Sequence, residues 1–180
     1  MTSPPNSHAA HHEQWVQALL KLAPTALVTG DVPIAAMVVR DDGTVVGRAV
    51  NRREADGDPT AHAEVLALRE AAHALNRWRL DDCTLVVTLE PCAMCAGACV
   101  LARIPRIVLG AWDPKAGACG SVMDVVRHPA LNHWTEIYGG VLAQECGDLI
   151  RDFFRAHRPQ TPFPGGDEHP RNFEGREPLS

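Results

Sequence analysis

The stretch LVVTLEPCAMCAGACVLAR, residues 85–103, decides how this chain is read. Leu85, Val86, Val87, Thr88 and Leu89 form a β-branched apolar run that predicts a strand. Pro91 then stands where a helix begins, and the small and apolar residues from Ala93 to Ala102 suit a buried helix. Cys92 and Cys95 are three apart, so they share one face of the first helical turn, where free backbone N–H groups and the positive end of the helix dipole favour thiolates. Such a pair by itself fits core packing or redox chemistry as well as metal binding. A catalytic zinc asks for a third ligand, an open fourth position and a base beside it.

Moving outward, Thr60-Ala61-His62-Ala63-Glu64 offers the missing groups. Asp58-Pro59-Thr60 has the composition of a helix start, with Asp58 or Thr60 as cap and Pro59 in the first turn, and the helix is expected to run to about Asn76. Residues two apart on a helix point to nearly opposite sides, so His62 and Glu64 converge only on a site lying just off the helix end, facing the Cys92 terminus. His62, Cys92 and Cys95 are three ligands suited to tetrahedral Zn²⁺ with a water as fourth partner. Glu64 is the natural proton carrier for a hydrolytic reaction, one that needs no organic cofactor.

The flanking sequence supplies a scaffold. An amphipathic helix is predicted over Glu13–Leu22, with Trp15, Val16, Leu19, Leu20 and Leu22 on its inner side. Ile34 to Val39 and Thr44 to Val50, joined by Asp41-Asp42-Gly43, read as a β-hairpin closed by Asn51. A strand at Arg106–Gly110, a Gly-rich loop from Asp113 to Gly120, a helical turn near 122–126, a strand at Thr135–Tyr138 and an amphipathic helix over Val141–Ala156 follow. Hairpin and βαβα units together predict an α/β fold with a mixed five-stranded sheet and helices on both faces. Residues 1–11 and the Pro/Gly-rich 159–180 are expected to be disordered tails around one domain spanning 12–158.

Composition narrows the class further. The chain has 180 residues, 46% of them hydrophobic, a formal net charge of −5 and six cysteines. That charge argues against coating nucleic acid by bulk electrostatics, so any RNA partner has to be recognised through a shaped pocket with a few local cations. No apolar run approaches the roughly 18 residues of a membrane span, and the N-terminus lacks the pattern of a signal peptide. A cytoplasmic protein with no membrane partner is expected. Cys83, Cys119 and Cys146 read as packing residues, and Cys99, one turn beyond Cys95, as a buried thiol.

His62-x-Glu64 followed by Pro91-Cys92-x-x-Cys95 is the signature of the zinc deaminases. With Asp58-Pro59-Thr60-Ala61 before it, Thr88-Leu89-Glu90 before Pro91, and Gly120-Ser121-Val122-Met123-Asp124 and Asn132-His133 after it, the sequence resembles the tRNA-specific adenosine deaminases from about Val32 to Arg158. The resemblance implies a three-layer α/β/α cytidine deaminase-like fold, a homodimer and one Zn²⁺ per subunit on His62, Cys92 and Cys95. It implies as substrate the wobble adenosine of an arginine tRNA anticodon stem-loop. A zinc-activated water would attack C6 of the flipped base while Glu64 moves protons, giving inosine. By the same resemblance Asn51 hydrogen-bonds the purine, Ile34 packs on it, Asp113 and Lys115 contact the anticodon loop, and Phe154 offers an aromatic face near the C-terminal helix end.

These substrate-binding residues have plainer readings too. Asn51 and Asp113 suit turns, Ile34 suits hairpin core, Lys115 is an ordinary solvated charge, and Phe153 fits the buried stripe better than Phe154. Ala35 stands where glycine is common in the family, and its methyl is expected to tighten the pocket wall. Because the zinc centre alone does not choose a substrate, a deaminase of a free nucleobase or nucleoside, such as guanine or cytosine, is the alternative. A structural-zinc or RNA-binding module would have no need of Glu64 and would call for four ligands, where this chain offers three.

Overall fold

Successive residues of one strand serve two different cores. In the computed structural model, which describes residues 7–157, β3 (Cys83–Leu89) turns Leu85 and Val87 to one side and Val86 to the other. Its parallel neighbour β4 (Arg106–Ala111) does the same with Ile107 and Leu109 against Val108, and the register Leu85↔Ile107, Val86↔Val108 keeps like with like. Side chains alternate across a strand with period two, so an uninterrupted apolar run means a sheet covered on both faces.

The coverings are two helical layers. On the Leu85 side lie α3 (Ala63–Ala74), through Ala63, Ala67, Leu68 and Ala71, and α4 (Ala93–Ala102), through Ala96, Cys99 and Val100. On the Val86 side lie α1 (Ser7–Leu22), through Val16 and Leu19, and α5 (Ala143–Ala156), through Cys146. Strand order is β2-β1-β3-β4-β5: β1 (Ala35–Arg40) runs antiparallel to β2 (Val45–Val50) and to β3, while β4 is parallel to β3 and to β5 (Glu136–Gly139). The expected three-layer α/β/α architecture with a mixed five-stranded sheet is the one observed.

At the outer edge of β2 the Glu70 carboxylate, projecting from α3, accepts the backbone N–H of Arg48 at 2.9 Å. At Gly47 in the same strand α3 comes so close that a Cβ would meet the Ala67 carbonyl oxygen and lie 2.7 Å from the Ala71 nitrogen. Glycine inside a strand here marks direct backbone contact with a helix.

Several boundaries differ from those read in the sequence. α3 begins at Ala63 and not at Asp58-Pro59-Thr60, because Asp58 Oδ1 is occupied in its own turn by the Thr60 N–H and hydroxyl, each at 2.7 Å. The polar segment before it holds a short helix, α2 (Arg53–Asp56), capped by the buried Asp31, whose carboxylate accepts the N–H groups of Glu54 and Ala55 at 2.9 and 3.2 Å. α1 starts at Ser7, so residues 7–11, expected to be disordered, are helical. His12 gives that end an anchor by meeting the Tyr138 ring edge-on at 4.9 Å. The helical turn expected near 122–126 is an irregular loop folded back on itself, with Val122 and Met123 donating to the Gly117 carbonyl and Val125 to that of Ala118. Residues 1–6 and 158–180, most of the two predicted tails, lie outside the described residues. Among the described residues, no helix is long and apolar enough to cross a membrane.

Candidate metal centre

Two helix beginnings meet at the C-terminal ends of β1's neighbours. After β3 the chain cannot continue its ladder, since Pro91 has no N–H. Cys92 follows in an extended conformation (φ −71°, ψ 175°) as the N-cap of α4, which places Cys95 in the first turn. His62 is likewise the extended N-cap of α3 (φ −76°, ψ 146°) and makes no side-chain cap bond, so its imidazole is not spent on its own helix. Asn51, at the end of β2, does the capping: its Oδ1 accepts the Ala63 N–H at 2.9 Å. A backbone N–H can only donate, which fixes the orientation of the Asn51 amide with its nitrogen turned away from Ala63.

The three candidate ligands then converge. His62 Nδ1 lies 3.7 Å from Cys92 Sγ and 3.5 Å from Cys95 Sγ, and the two sulfurs are 3.7 Å apart. A tetrahedral zinc with Zn–S near 2.3 Å and Zn–N near 2.0–2.1 Å would set edges of about 3.8 Å between sulfurs and about 3.6 Å between nitrogen and sulfur. The triangle observed is therefore one face of such a tetrahedron, with the fourth corner left for water. Among the described residues this is the one cluster of three or more His, Cys, Asp or Glu side chains with metal-ligating geometry. Cys99 is fully buried and stands outside it, as do Cys83, Cys119 and Cys146.

Electrostatics favour a cation at that point. In the metal-free chain, hydrogen bonds from Cys95 and His62 pull the Cys92 thiol down to about 3. Cys95 moves the other way because it donates to Cys92 and is buried, and His62 is raised by its bond to the Cys92 sulfur. Glu64 is 4% exposed, and burial raises its carboxyl while its own backbone N–H and His62 oppose the shift. A carboxyl raised by burial beside a cluster of metal-ligating side chains suits proton transfer.

The remaining predicted residues separate into near and far. Ile34 packs on the core of the α3 and α4 side, and its carbonyl accepts the Asn51 N–H at 3.1 Å. Ala35 faces the opposite side, fully buried among Val16, Leu19 and Met37, so its methyl does not tighten the pocket wall as expected. Asp113 and Lys115 sit on a loop whose Gly117 makes a bridge with Cys92. Asp113 does form a turn, accepting the Lys115 N–H at 2.9 Å, and the Lys115 side chain is exposed. Phe154 is 52% exposed on α5, in the other helical layer, while Phe153 is half-buried and stacks on His157.

In the sequence Glu90 stands simply as the residue before Pro91. It is buried and accepts backbone N–H groups from Asp113, Cys119 and Ser121. The signal available was a charge at the end of an apolar strand, where a carboxylate has to find donors.

A mixed five-stranded sheet between two helical layers, with a His-Cys-Cys triangle and a buried glutamate at two helix N-termini, defines a deaminase of cytidine deaminase-like fold. The chain belongs to the MafB19-like deaminase family, whose sequence profile matches residues 10–158. It is 45% identical over 146 residues to the tRNA-specific adenosine deaminase of Bacillus subtilis (strain 168), covering 81% of this chain and 90% of that one. Among solved structures it resembles one from a study of A-to-I editing by tRNA:A34 deaminases at the wobble position of transfer RNA, with TM-score 0.73 and 39% identity over 76% of this chain and 99% of that one. A guanine deaminase from Nitrosomonas europaea is more distant, at TM-score 0.66 and 26% identity over 85% of this chain and 86% of that one.

Proposed function

We propose that the protein deaminates the wobble adenosine of a tRNA anticodon, that of arginine tRNA in the first instance, to inosine, with one Zn²⁺ held by His62, Cys92 and Cys95. The observation that carries the reading is the ligand triangle of 3.5, 3.7 and 3.7 Å beside a buried Glu64. Its relatives and structural neighbours supply the substrate class. Zinc, when bound, supplies the acidity that makes a water nucleophilic at neutral pH.

The chain's own residues do the rest. Glu64 accepts one proton from the attacking water and passes it to N1 of the ring as the water oxygen bonds to C6; it then takes that oxygen's second proton to the exocyclic amine, which departs as ammonia and leaves a C6 carbonyl. Asn51, its oxygen committed to Ala63, offers its amide nitrogen to an acceptor on the base, and Ile34 gives the base an apolar wall. Asp113, Lys115 and Phe154 lie further out, where the nucleotides flanking a flipped base would run, and an aromatic face there can stack on one of them. Residues 12–158 make up the deaminase domain, working in the cytoplasm as a homodimer. Exposed apolar side chains on and after α4, among them Met94, Leu101, Val122 and Met123, give a second copy a surface to cover.

Incubation of zinc-loaded protein with arginine tRNA, followed by sequencing for inosine, tests the reading. Inosine at the wobble position and its loss in Glu64→Ala with zinc retained are the expected results. Editing unchanged in that variant would remove Glu64 from the chemistry. The guanine deaminase neighbour motivates the second reading, a free-base enzyme. Turnover of guanine or cytosine with none of the tRNA would establish it instead.

A further inference from the structure

We infer that Glu90 is a positioning residue: its carboxylate fixes the 113–121 loop against the metal centre and thereby sets affinity for the RNA. The inference rests on the tRNA reading above. Glu90 is 2% exposed, and its two oxygens divide the work. Oε2 accepts the Asp113 N–H at 2.9 Å, while Oε1 accepts the N–H groups of Cys119 at 2.9 Å and Ser121 at 3.2 Å. These donors come from the two ends of a Gly-rich loop, so one side chain closes it. The charge is answered by backbone dipoles, in the manner of an anion in a nest of amides.

The same loop is sewn to the strand-helix junction that carries the first thiol. Ala118 donates to the Pro91 carbonyl at 2.9 Å, Gly117 bridges to Cys92, and the Ser121 hydroxyl donates to the Asp113 carbonyl at 2.8 Å. Gly117 is what lets the loop close down, since a Cβ there would collide with Glu90 Oε2 and with Ser121 Oγ. Glu90 is only two residues from Cys92, so the hub of the loop and a metal ligand share one short piece of backbone. Asp113, held from behind by Glu90, in turn holds the Lys115 N–H. The place of the Lys115 charge relative to the triad therefore follows from the carboxylate.

Glutamine has the same shape but only one acceptor oxygen, and it would turn an NH₂ toward one set of donors. Glu90→Gln should release one end of the loop while leaving His62, Cys92 and Cys95 intact. With zinc-loaded protein and an anticodon stem-loop, KM should rise about tenfold or more with kcat held within about threefold, the pattern of lost uniform binding. Zinc stoichiometry should be unchanged, and hydrogen exchange at the Asp113, Cys119 or Ser121 amides should quicken. Unchanged KM overturns the positioning role, and unchanged exchange overturns the tether itself. Should Glu90→Gln not fold, Gly117→Ala displaces the carboxylate without removing it and must raise KM likewise; a wild-type KM there also overturns the inference. A wild-type protein that forms no inosine on RNA defeats the functional reading instead, and the exchange measurement still decides the tether.

Discussion

Asn51 Oδ1 lies 2.9 Å from the Ala63 backbone nitrogen, so the residue that ends β2 caps the helix whose first residues are flanked by His62 and Glu64. In the proposed function base recognition falls to the amide nitrogen, while the oxygen caps the helix, and two substitutions separate the two roles. Asn51→Asp keeps an acceptor for Ala63 but loses the donor: zinc content and Tm should stay near wild type while kcat/KM on tRNA falls at least about tenfold. Asn51→Ala loses the cap as well, and thermal unfolding should show an added cost of about 1 kcal/mol. Equal activity in Asn51→Asp and wild type would confine Asn51 to capping.

Stripping the metal with a chelator should leave a selectively reactive thiol. Cys92, half-buried and held near 3, is already thiolate throughout the neutral range, so its alkylation rate should be nearly flat from pH 5 to 8, where an ordinary thiol of pKa about 8.5 speeds up steadily. Cys83 is buried and pushed up to about 12, and it should stay unlabelled in the folded chain. Mass spectrometry of the alkylated peptides reads both. Restored Zn²⁺ should protect Cys92, and labelling of Cys92 that zinc does not slow would contradict ligation.

Asp31 gives stability its own pH dependence. Burial alone would raise its carboxyl, but bonds from Glu54, Thr29 and Ala55 outweigh that and hold it below its ordinary value. A carboxylate depressed in the folded state stabilises above its unfolded pKa, about 3.9, and loses that contribution as pH falls through the folded value. Asp31→Asn should therefore cost about 1–3 kcal/mol at pH 7. In urea titrations the gap between variant and wild type should close below about pH 4; a gap of constant size would mean that charge is not the reason.

Gly47→Ala should be among the most damaging single-methyl changes in the chain. The added Cβ strikes the α3 backbone at Ala67 and Ala71, which cannot swing aside as a side chain could. A loss of about 1–3 kcal/mol is expected. Because α3 carries His62 and Glu64 at its start, zinc affinity should weaken together with Tm, as competition with a colorimetric chelator would show. Wild-type Tm and affinity would mean that the strand yields instead.

Much of this was legible in the sequence where the physics is local. An apolar run, a proline and two thiols at helical spacing placed β3, α4 and the sulfur pair, and His62 with Glu64 two apart pointed to a site off a helix end. What escaped was long-range. Asp58-Pro59-Thr60 looks like a cap by composition, yet the donor at the head of α3 is met by Asn51, twelve residues upstream, and Asp58 closes its own turn. Glu90 finds its donors 23 to 31 residues further along, a distance at which no short pattern signals the pairing. Ala35 is different: with Ile34 facing α3 and α4, strand alternation alone sends the Ala35 methyl the other way, so that expectation could have been corrected by counting.

The Glu70 carboxylate on the Arg48 amide has a consequence for the sheet as a whole. β2 is one of its two open margins, and an unguarded row of peptide groups there invites a foreign strand to dock and the sheet to grow from one molecule into the next. By occupying a donor and setting a negative charge along that margin, Glu70 makes the β2 edge a poor template for other copies.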